Sequence, residues 1–194
     1  DRHDYWQCAY LIAKGGIDAL RARGLDAFRE AVARAAPPLA GRTNEIRDWD
    51  DVKLLSVTVD RLDTWWKPGL LCIGDAAHAM SPIGGVGINL AVQDAVATAN
   101  LLRHALAAPS VSQAELTPLL AQVQAWRLLP ARLTQAVQVA IQNRLLTPVL
   151  RSASSPAPMR LPWPLKLMQR VPALQGLPAY AVGVGVRPER ARGY

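Results

Sequence analysis

The chain has 194 residues, of which 51% are hydrophobic, and carries a formal net charge of +7. Because such a chain can bury a core, an intrinsically disordered protein is excluded. The 2 cysteines, Cys8 and Cys72, are too few for a disulfide framework or a zinc site. No apolar run approaches the roughly 18 residues that span a bilayer. The arginines stand singly in amphipathic stretches, which favours solvated helix faces over a nucleic-acid surface.

The first 66 residues combine two strand patterns with one helix pattern. Side chains alternate in character over 5–14 and again over 52–59, which predicts two strands that each bury one face. Between them, the apolar spacing that begins at Leu25 is that of an amphipathic helix, and Pro37 ends it. Trp65 and Trp66 follow the second strand and are expected to form a packing corner.

The middle of the chain predicts a strand, a glycine loop and a helix in that order. Residues 70–73 are continuously apolar, as in a strand that is buried on both faces. Gly74 and Asp75 follow at the carboxyl end, where ligands bind in open α/β sheets. A loop with glycines at 84, 85 and 87 then leads into a helical pattern that begins at Ile88. The predicted apolar stripe of this helix is Ile88, Val92, Ala95, Val96, Ala99, Leu102 and Leu106.

The last third of the chain predicts helices and a proline-rich tail. Residues 112–115 have the form of a capping box and start a helix that Pro130 is expected to kink. The continuation to residue 146 is expected to carry its apolar face at Leu133, Val137, Ala140, Ile141 and Leu145. Prolines recur from residue 156 onward, which is typical of a tail that packs over another surface in short pieces.

The glycine loop favours an electron-rich or anionic ligand. Glycines leave their backbone N–H groups uncovered, and the start of the following helix adds its positive dipole end. A ring that becomes anionic on reduction is one such ligand. Asp75 and His78 are also compatible with a helix-capping pair or two metal ligands, but no third ligand stands at a recognisable spacing. No metal is expected, and the catalytic residues are unknown.

The same stretch closely resembles the second flavin-binding motif of the FAD-dependent aromatic hydroxylases, which share the p-hydroxybenzoate hydroxylase fold. The resemblance covers about 69–103 and rests on GDAAH at 74–78, Pro82, GGVGIN at 84–89, Ala91 and Asp94. It implies that Asp75 binds the ribityl chain of FAD with Gly74 beneath it, and that Pro82 lies beside the isoalloxazine ring. The implied cofactor-binding residues are Gly74, Asp75, Pro82, Gly84, Gly85, Val86, Gly87, Ile88 and Asn89.

The resemblance also implies a fold and an activity. The expected fold is α/β: the end of a substrate-domain sheet at 1–66, a strand–loop–helix piece of an FAD-binding domain at 67–109, and C-terminal helices with a tail at 110–194. In the family, NAD(P)H reduces FAD, and O₂ then forms a flavin C4a-hydroperoxide that hydroxylates an aromatic or similar small substrate. The implied location is cytoplasmic. In this family the residues Trp6, Tyr10, Leu55 and Val57 could line the substrate pocket. Residues of these types more often belong to the hydrophobic core, and that role is favoured for them.

Two motifs of the family are missing from the sequence. The chain has neither a G-x-G-x-x-G after a first strand nor the middle Asp-Gly motif, so the N-terminal FAD-binding half is expected in a longer parent. The chain alone is expected to be inactive and not to retain FAD. Two alternatives remain open. One is a flavin-dependent reductase or halogenase of the same fold, and the other is a non-catalytic fragment whose basic tail at 163–170 contacts a membrane surface or a partner.

Overall fold

The computed structural model describes residues 7–147, 176, 180 and 183–192. The described residues fall into two compact units, one of 7–56 with 145–147 and one of 57–144 with the described C-terminal residues. Two expectations concern residues outside the described ranges. They are the substrate-pocket role of Trp6 and the membrane or partner contact of the basic stretch at 163–170. The domain boundaries expected from the sequence stay a prediction.

The first unit is built around the amphipathic helix that the sequence predicts. Helix α1 spans Ile17–Ala22 and α2 spans Leu25–Ala35, with 3-10 turns at Pro37–Glu45 and Trp49–Asp51. Phe28 on α2 is 5% exposed, and its ring centre lies 5.5 Å from that of Tyr10 and 5.4 Å from that of Trp49. Phe28, the buried member of this aromatic group, is the apolar centre of the unit.

The two strands predicted at 5–14 and 52–59 are wrong, since no strand forms in the described part of either range. Their apolar side chains are exposed: Tyr10 by 42%, Leu55 by 77% and Val57 by 39%. The core role favoured for these three residues is therefore wrong as well. A strand needs a neighbour to pair with its backbone groups, and among the described residues neither segment has one.

The second unit begins with a small hairpin. Strand β1, Trp66–Lys67, pairs antiparallel with β2, Leu70–Leu71, and Trp66 lies opposite Leu71. The prediction of a strand buried on both faces is wrong, because Leu70 is 55% exposed and residues 71–73 are half-buried. Burial on both faces requires a strand inside a larger sheet, whereas the sheet of the described residues has two strands.

Helix α3, Val86–Leu106, starts two residues before the predicted position, and Leu102 is the residue of the predicted stripe that it buries. The side chains that it buries are Leu90, Asp94, Ala97 and Leu102. The predicted stripe is wrong at Ile88, Val92 and Leu106, which are 78%, 57% and 60% exposed. Because this helix carries small and apolar residues on all sides, its pattern does not single out one face.

Helix α4 spans Gln113–Ile141 and runs through Pro118 and Pro130, followed by a π turn at Gln142–Leu146. The predicted capping box is confirmed: the Glu115 N–H donates to Ser112 Oγ at 3.3 Å, and the Ser112 N–H donates to Glu115 Oε2 at 2.9 Å. The predicted apolar face is wrong at Leu133 and Val137, which are 42% and 58% exposed. The face that α4 buries carries Leu120, Val123, Arg127, Pro130, Ala131, Gln135 and Gln138.

Two apolar clusters hold the hairpin against α3 and α4. One consists of Trp65, Ala77, Leu90 and Ala131, and the other of Leu102, Leu120 and Val123. Trp65 is 1% exposed and donates from Nε1 to the carbonyl of Leu62 at 3.1 Å, as expected of a packing corner. Within the described ranges, no helix has the length and apolar character needed to cross a membrane.

Candidate functional site

The Gly74–Ala76 turn leaves the hairpin and lies directly against α3. Gly74 has φ of +57°, a conformation that L side chains rarely adopt. Its carbonyl accepts hydrogen bonds at 2.9 Å from the backbone N–H groups of Ala77 and His78. A Cβ atom on Gly74 would lie 2.9 Å from Cβ of Ala91 on α3, so this approach requires glycine. The turn therefore projects the next side chain, that of Asp75, from a fixed base.

The Asp75 side chain is exposed and forms no hydrogen bond with any described residue. Its Oδ1 atom lies 4.0 Å from the position that a Cβ atom on Gly87 would occupy. The carboxylate thus stands next to the start of α3. Both oxygens are available to accept hydrogen bonds from a hydroxylated molecule.

The glycine loop leaves the start of α3 open. Pro82 precedes a 3-10 turn at Ile83–Gly85, in which Gly84 has φ of +79° and Gly85 has φ of +64°. Gly85 is the N-cap of α3, no side chain of the described residues caps the helix, and a Cβ built on Gly85 would meet no atom within 4 Å beyond its chain neighbours. The first turn of α3 therefore lacks a side-chain cap within the described part of the chain, and the positive end of the helix dipole lies at this loop.

The residues with implied flavin contacts lie together on this surface. The exposed ones are Asp75, Pro82, Gly84, Gly85, Ile88 and Asn89; Val86 and Gly87 are half-buried, and Gly74 is buried. A separate groove of about 600 Å³ lies along α4 and is lined by residues that include Arg61, Arg132 and Arg144. None of the implied flavin-binding residues lines that groove.

A buried charged cluster, formed by His78, Asp94 and Arg127, lies beneath the turn. The Asp94 and Arg127 side chains are 0% exposed and that of His78 is 1% exposed. Asp94 Oδ2 accepts from the Gly74 N–H at 3.1 Å and lies 2.6 Å from His78 Nε2. Asp94 Oδ1 accepts from Arg127 Nε at 2.8 Å. One carboxylate therefore joins the turn, α3 and α4.

The protonation states in the cluster follow from its contacts. Burial raises the pKa of the Asp94 carboxyl, but the hydrogen bonds from His78 and Arg127 outweigh it and bring the pKa below the ordinary 3.8. An ionised carboxylate only accepts hydrogen bonds, so we assign the shared hydrogen to His78 Nε2. The other ring nitrogen, Nδ1, is buried and has no hydrogen-bond partner among the described residues.

The contacts of His78 can be compared with the two functions that histidine most often has in enzymes, general base and metal ligand. A ring that is 1% exposed and bound to Asp94 does not reach a substrate as a general base. Across the described ranges, no group of three or more His, Cys, Asp or Glu side chains is placed to hold a metal ion. His78 is a partner of Asp94 within the core.

Sequence reasoning gave no role to Asp94, although the motif included it, and missed Arg127. Both charges were visible as interruptions of the apolar faces that the structure buries. Asp94 stands four residues after Leu90 on α3, and Arg127 stands four residues after Val123 on α4. Residues at that spacing lie on one face of a helix, so each charge falls on the face that its helix buries.

The described C-terminal residues 183–192, which we call the C-terminal strap, lie along α3 and α4. Gln93 Nε2 donates to the carbonyl of Val184 at 2.8 Å, and Asn100 Nδ2 donates to that of Arg190 at 3.0 Å. Arg127 Nη1 donates to the carbonyl of Arg187 at 3.0 Å. The Gly-Val-Gly sequence at 183–185, which resembles a nucleotide fingerprint only superficially, belongs to this strap.

Comparison with known proteins identifies monooxygenases that are similar to part of this chain. The 6-methylpretetramide 4-monooxygenase of Streptomyces rimosus is 38% identical over 111 residues, which cover 57% of this chain and 27% of that protein. An FAD-dependent monooxygenase of Aspergillus flavus is 30% identical over 116 residues, covering 57% of this chain and 24% of that protein. Another, from Penicillium shearii, is 39% identical over 61 residues, covering 30% of this chain and 13% of that protein.

The chain spans about a quarter of the length of the first two of these relatives. Residues 5–139 match the family described as FAD binding domain. That match extends well beyond the glycine loop on both sides and takes in α2, the hairpin, α3 and nearly all of α4. As its resemblance to the FAD-dependent aromatic hydroxylases predicted, the chain belongs to the FAD binding domain family.

Proposed function

We propose that this chain is part of a longer polypeptide, in which it forms the flavin-facing side of the FAD site of a monooxygenase. The observation that carries the proposal is the exposed Asp75 carboxylate beside the uncapped start of α3. FAD fits both features, because its ribityl hydroxyls can donate to the carboxylate while helix N–H groups face the ring. Gly84 and Gly85 add no side chain that would keep the ring away.

Each group on this surface has a distinct proposed task. Asp75 accepts hydrogen bonds from the ribityl chain, and Gly74 sets the height of that carboxylate above α3. Pro82 lies beside the isoalloxazine ring. Residues 84–89 face its pyrimidine edge, where the helix dipole favours negative charge on the ring. The remaining contacts with FAD, including those with its pyrophosphate, would come from outside this chain.

The proposed reaction is the hydroxylation of an aromatic or similar small organic molecule, with NAD(P)H as reductant. One oxygen atom of O₂ enters the substrate and the other leaves as water, with two electrons from NAD(P)H. FAD supplies the electron transfer and oxygen activation when bound. The relatives support this assignment, since one is a 6-methylpretetramide 4-monooxygenase and two are FAD-dependent monooxygenases by name. A cytoplasmic location fits the need for NAD(P)H.

The first experiment compares FAD binding by the isolated chain and by its parent polypeptide. We expect the parent to keep its yellow colour through gel filtration and the isolated chain to lose it, because the chain lacks the pyrophosphate-binding half. Submicromolar FAD binding by the isolated chain would contradict the second expectation. A parent without FAD would overturn the proposed function.

The second experiment replaces Asp75 with alanine in the parent. The loss of one charge-assisted hydrogen bond costs about 1.5 to 3 kcal/mol, or roughly a 10- to 150-fold weaker FAD affinity. Asp63→Ala is the matched control, since it removes the same charge from another exposed position. Equal FAD dissociation constants for the two variants would reject the role of Asp75.

A further inference from the structure

The buried cluster of His78, Asp94 and Arg127 has no exposed surface with which to meet a ligand. Its contacts run instead to the backbone of the turn that carries Asp75. The Asp94 carboxylate accepts a hydrogen bond from the Gly74 N–H, and the Gly74 carbonyl accepts one from the backbone N–H of His78. The His78 ring is in turn hydrogen-bonded to Asp94. Both backbone groups of Gly74 are therefore fixed within one closed set of hydrogen bonds.

The presence of buried charged side chains in this cluster is not explained by a gain in folding stability. Removing charged side chains from water is costly, and replacing a buried ion pair with apolar residues of similar volume is often neutral or stabilising. Hydrogen bonds, in contrast to apolar contacts, fix direction as well as distance. A cluster of this kind is suited to holding a backbone segment in one geometry.

We propose that His78, Asp94 and Arg127 are positioning residues for the cofactor: they hold the Gly74–Ala76 turn so that the Asp75 carboxylate stands at a fixed place beside the start of α3. The inference rests on the proposed FAD site. None of the three side chains touches the cofactor, and each acts through the turn. Asp94 is the central member, because both other side chains bind it.

Arg127 extends this arrangement to the C-terminal strap. Besides Asp94, it donates to the carbonyl of Arg187 on the strap at 3.0 Å and to Gln93 Oε1 on α3 at 3.4 Å. Gln93 in turn donates to the carbonyl of Val184. The position of Arg127, and through it that of Asp94, thus depends on the strap. Removal of the strap is expected to weaken FAD binding, although the strap lies outside the flavin motif.

The test measures the FAD dissociation constant and the visible circular dichroism of bound flavin in variants of the parent polypeptide. Asp94→Asn and His78→Leu are expected to weaken FAD binding about 10- to 100-fold, the loss seen when a group that orients a metal ligand is removed. His78→Gln keeps an N–H donor at the end of its side chain and is expected to restore most of the affinity. Loss of the strap is expected to act in the same direction as Asp94→Asn.

Leu120→Ala is the matched control for lost stability. Leu120 is 5% exposed on α4, the helix of Arg127, and packs in the apolar cluster with Leu102 and Val123, which contains none of the three charged residues. Leu120→Ala is expected to lower the unfolding midpoint while the FAD dissociation constant and the flavin circular dichroism stay within about twofold of wild type, since it removes none of the hydrogen bonds that hold Gly74.

The outcomes separate the inference from the proposed function. If wild-type parent does not bind FAD, both fall. If wild type binds FAD but Asp94→Asn and His78→Leu bind it as tightly, or if Leu120→Ala weakens binding as much as they do, the positioning role alone is overturned. Should Asp94→Asn fail to fold, the comparison of His78→Leu with His78→Gln decides, and equal affinities for that pair would reject the inference.

Discussion

The contact between Gly74 and α3 supports a stability prediction that separates two costs of a side chain. In Gly74→Ala, the left-handed backbone costs about 1 to 2 kcal/mol for an alanine. The new Cβ would also stand 2.9 Å from Cβ of Ala91, too close without a backbone shift. Overpacking of this kind costs about 1 to 3 kcal/mol. Gly85→Ala has the first cost without the second, because a Cβ there meets open space.

The measurement is urea-induced unfolding of the two variants and wild type, followed by far-UV circular dichroism. Both substitutions restrict the unfolded chain equally, so the difference between them reports the contact with Ala91. We expect Gly74→Ala to be less stable than Gly85→Ala by about 1 to 3 kcal/mol. Adding Ala91→Gly should recover most of that difference in a double-mutant cycle.

Two results would refute this reasoning. The first is equal destabilisation by Gly74→Ala and Gly85→Ala. It would mean that α3 can shift to make room for the new Cβ without any loss in the free energy of unfolding. The second is a coupling energy near zero between positions 74 and 91. Either would show that the closeness of the turn to α3 does not explain the glycine at position 74.

Three further predictions concern other parts of the chain. Asp94→Asn should lower the free energy of unfolding by about 3 to 5 kcal/mol near neutral pH, because it leaves the buried Arg127 unpaired. Since the folded pKa of Asp94 lies below its ordinary 3.8, the carboxylate stabilises the fold fully above that pH and progressively less below it. Acid titration of the unfolding midpoint should show this loss in wild type and less of it in Asp94→Asn. Ser112→Ala should cost about 1 kcal/mol in urea unfolding by removing the N-cap of α4, whereas the exposed Ser110→Ala should cost nothing measurable. Phe28→Ala should cost about 3 to 5 kcal/mol in the unfolding of the first unit, and a loss below about 1 kcal/mol would contradict its central place there.

The features that the sequence predicted correctly are local ones. Helix α2 and the capping box of α4 depend on residues within a few positions of one another, and both form as expected. The strands expected at 5–14 and 52–59 depend on neighbours elsewhere in a sheet, and alternation alone does not supply them. Local signals therefore predicted the helix starts but not the pairing of strands.

The buried faces of α3 and α4 show the same limit in another form. Asp94 and Arg127 lie 33 residues apart, and neither helix pattern reveals that one charge will meet the other. Once they pair, the helix faces around them are buried, and Ile88 and Val137 are left exposed. The flavin contacts expected of the turn and the glycine loop stay a prediction, and the sequence did not point to the buried charged cluster beneath the turn.

The strap is held mainly through its main chain, and this has a consequence for how the segment can evolve. Gln93, Asn100 and Arg127 on the helices recognise carbonyl groups that every amino acid carries. The side chains that hold the strap in place therefore belong to α3 and α4. Most side chains of the strap itself can be substituted without a change in the position of its backbone. The positions that restrict it are Gly185, with φ of +78°, and Arg187 and Glu189, whose side chains contact Trp126 on α4. Relatives could thus retain this docking with almost no sequence similarity in the segment, and it would be recognised from the amide and guanidinium groups on the helices.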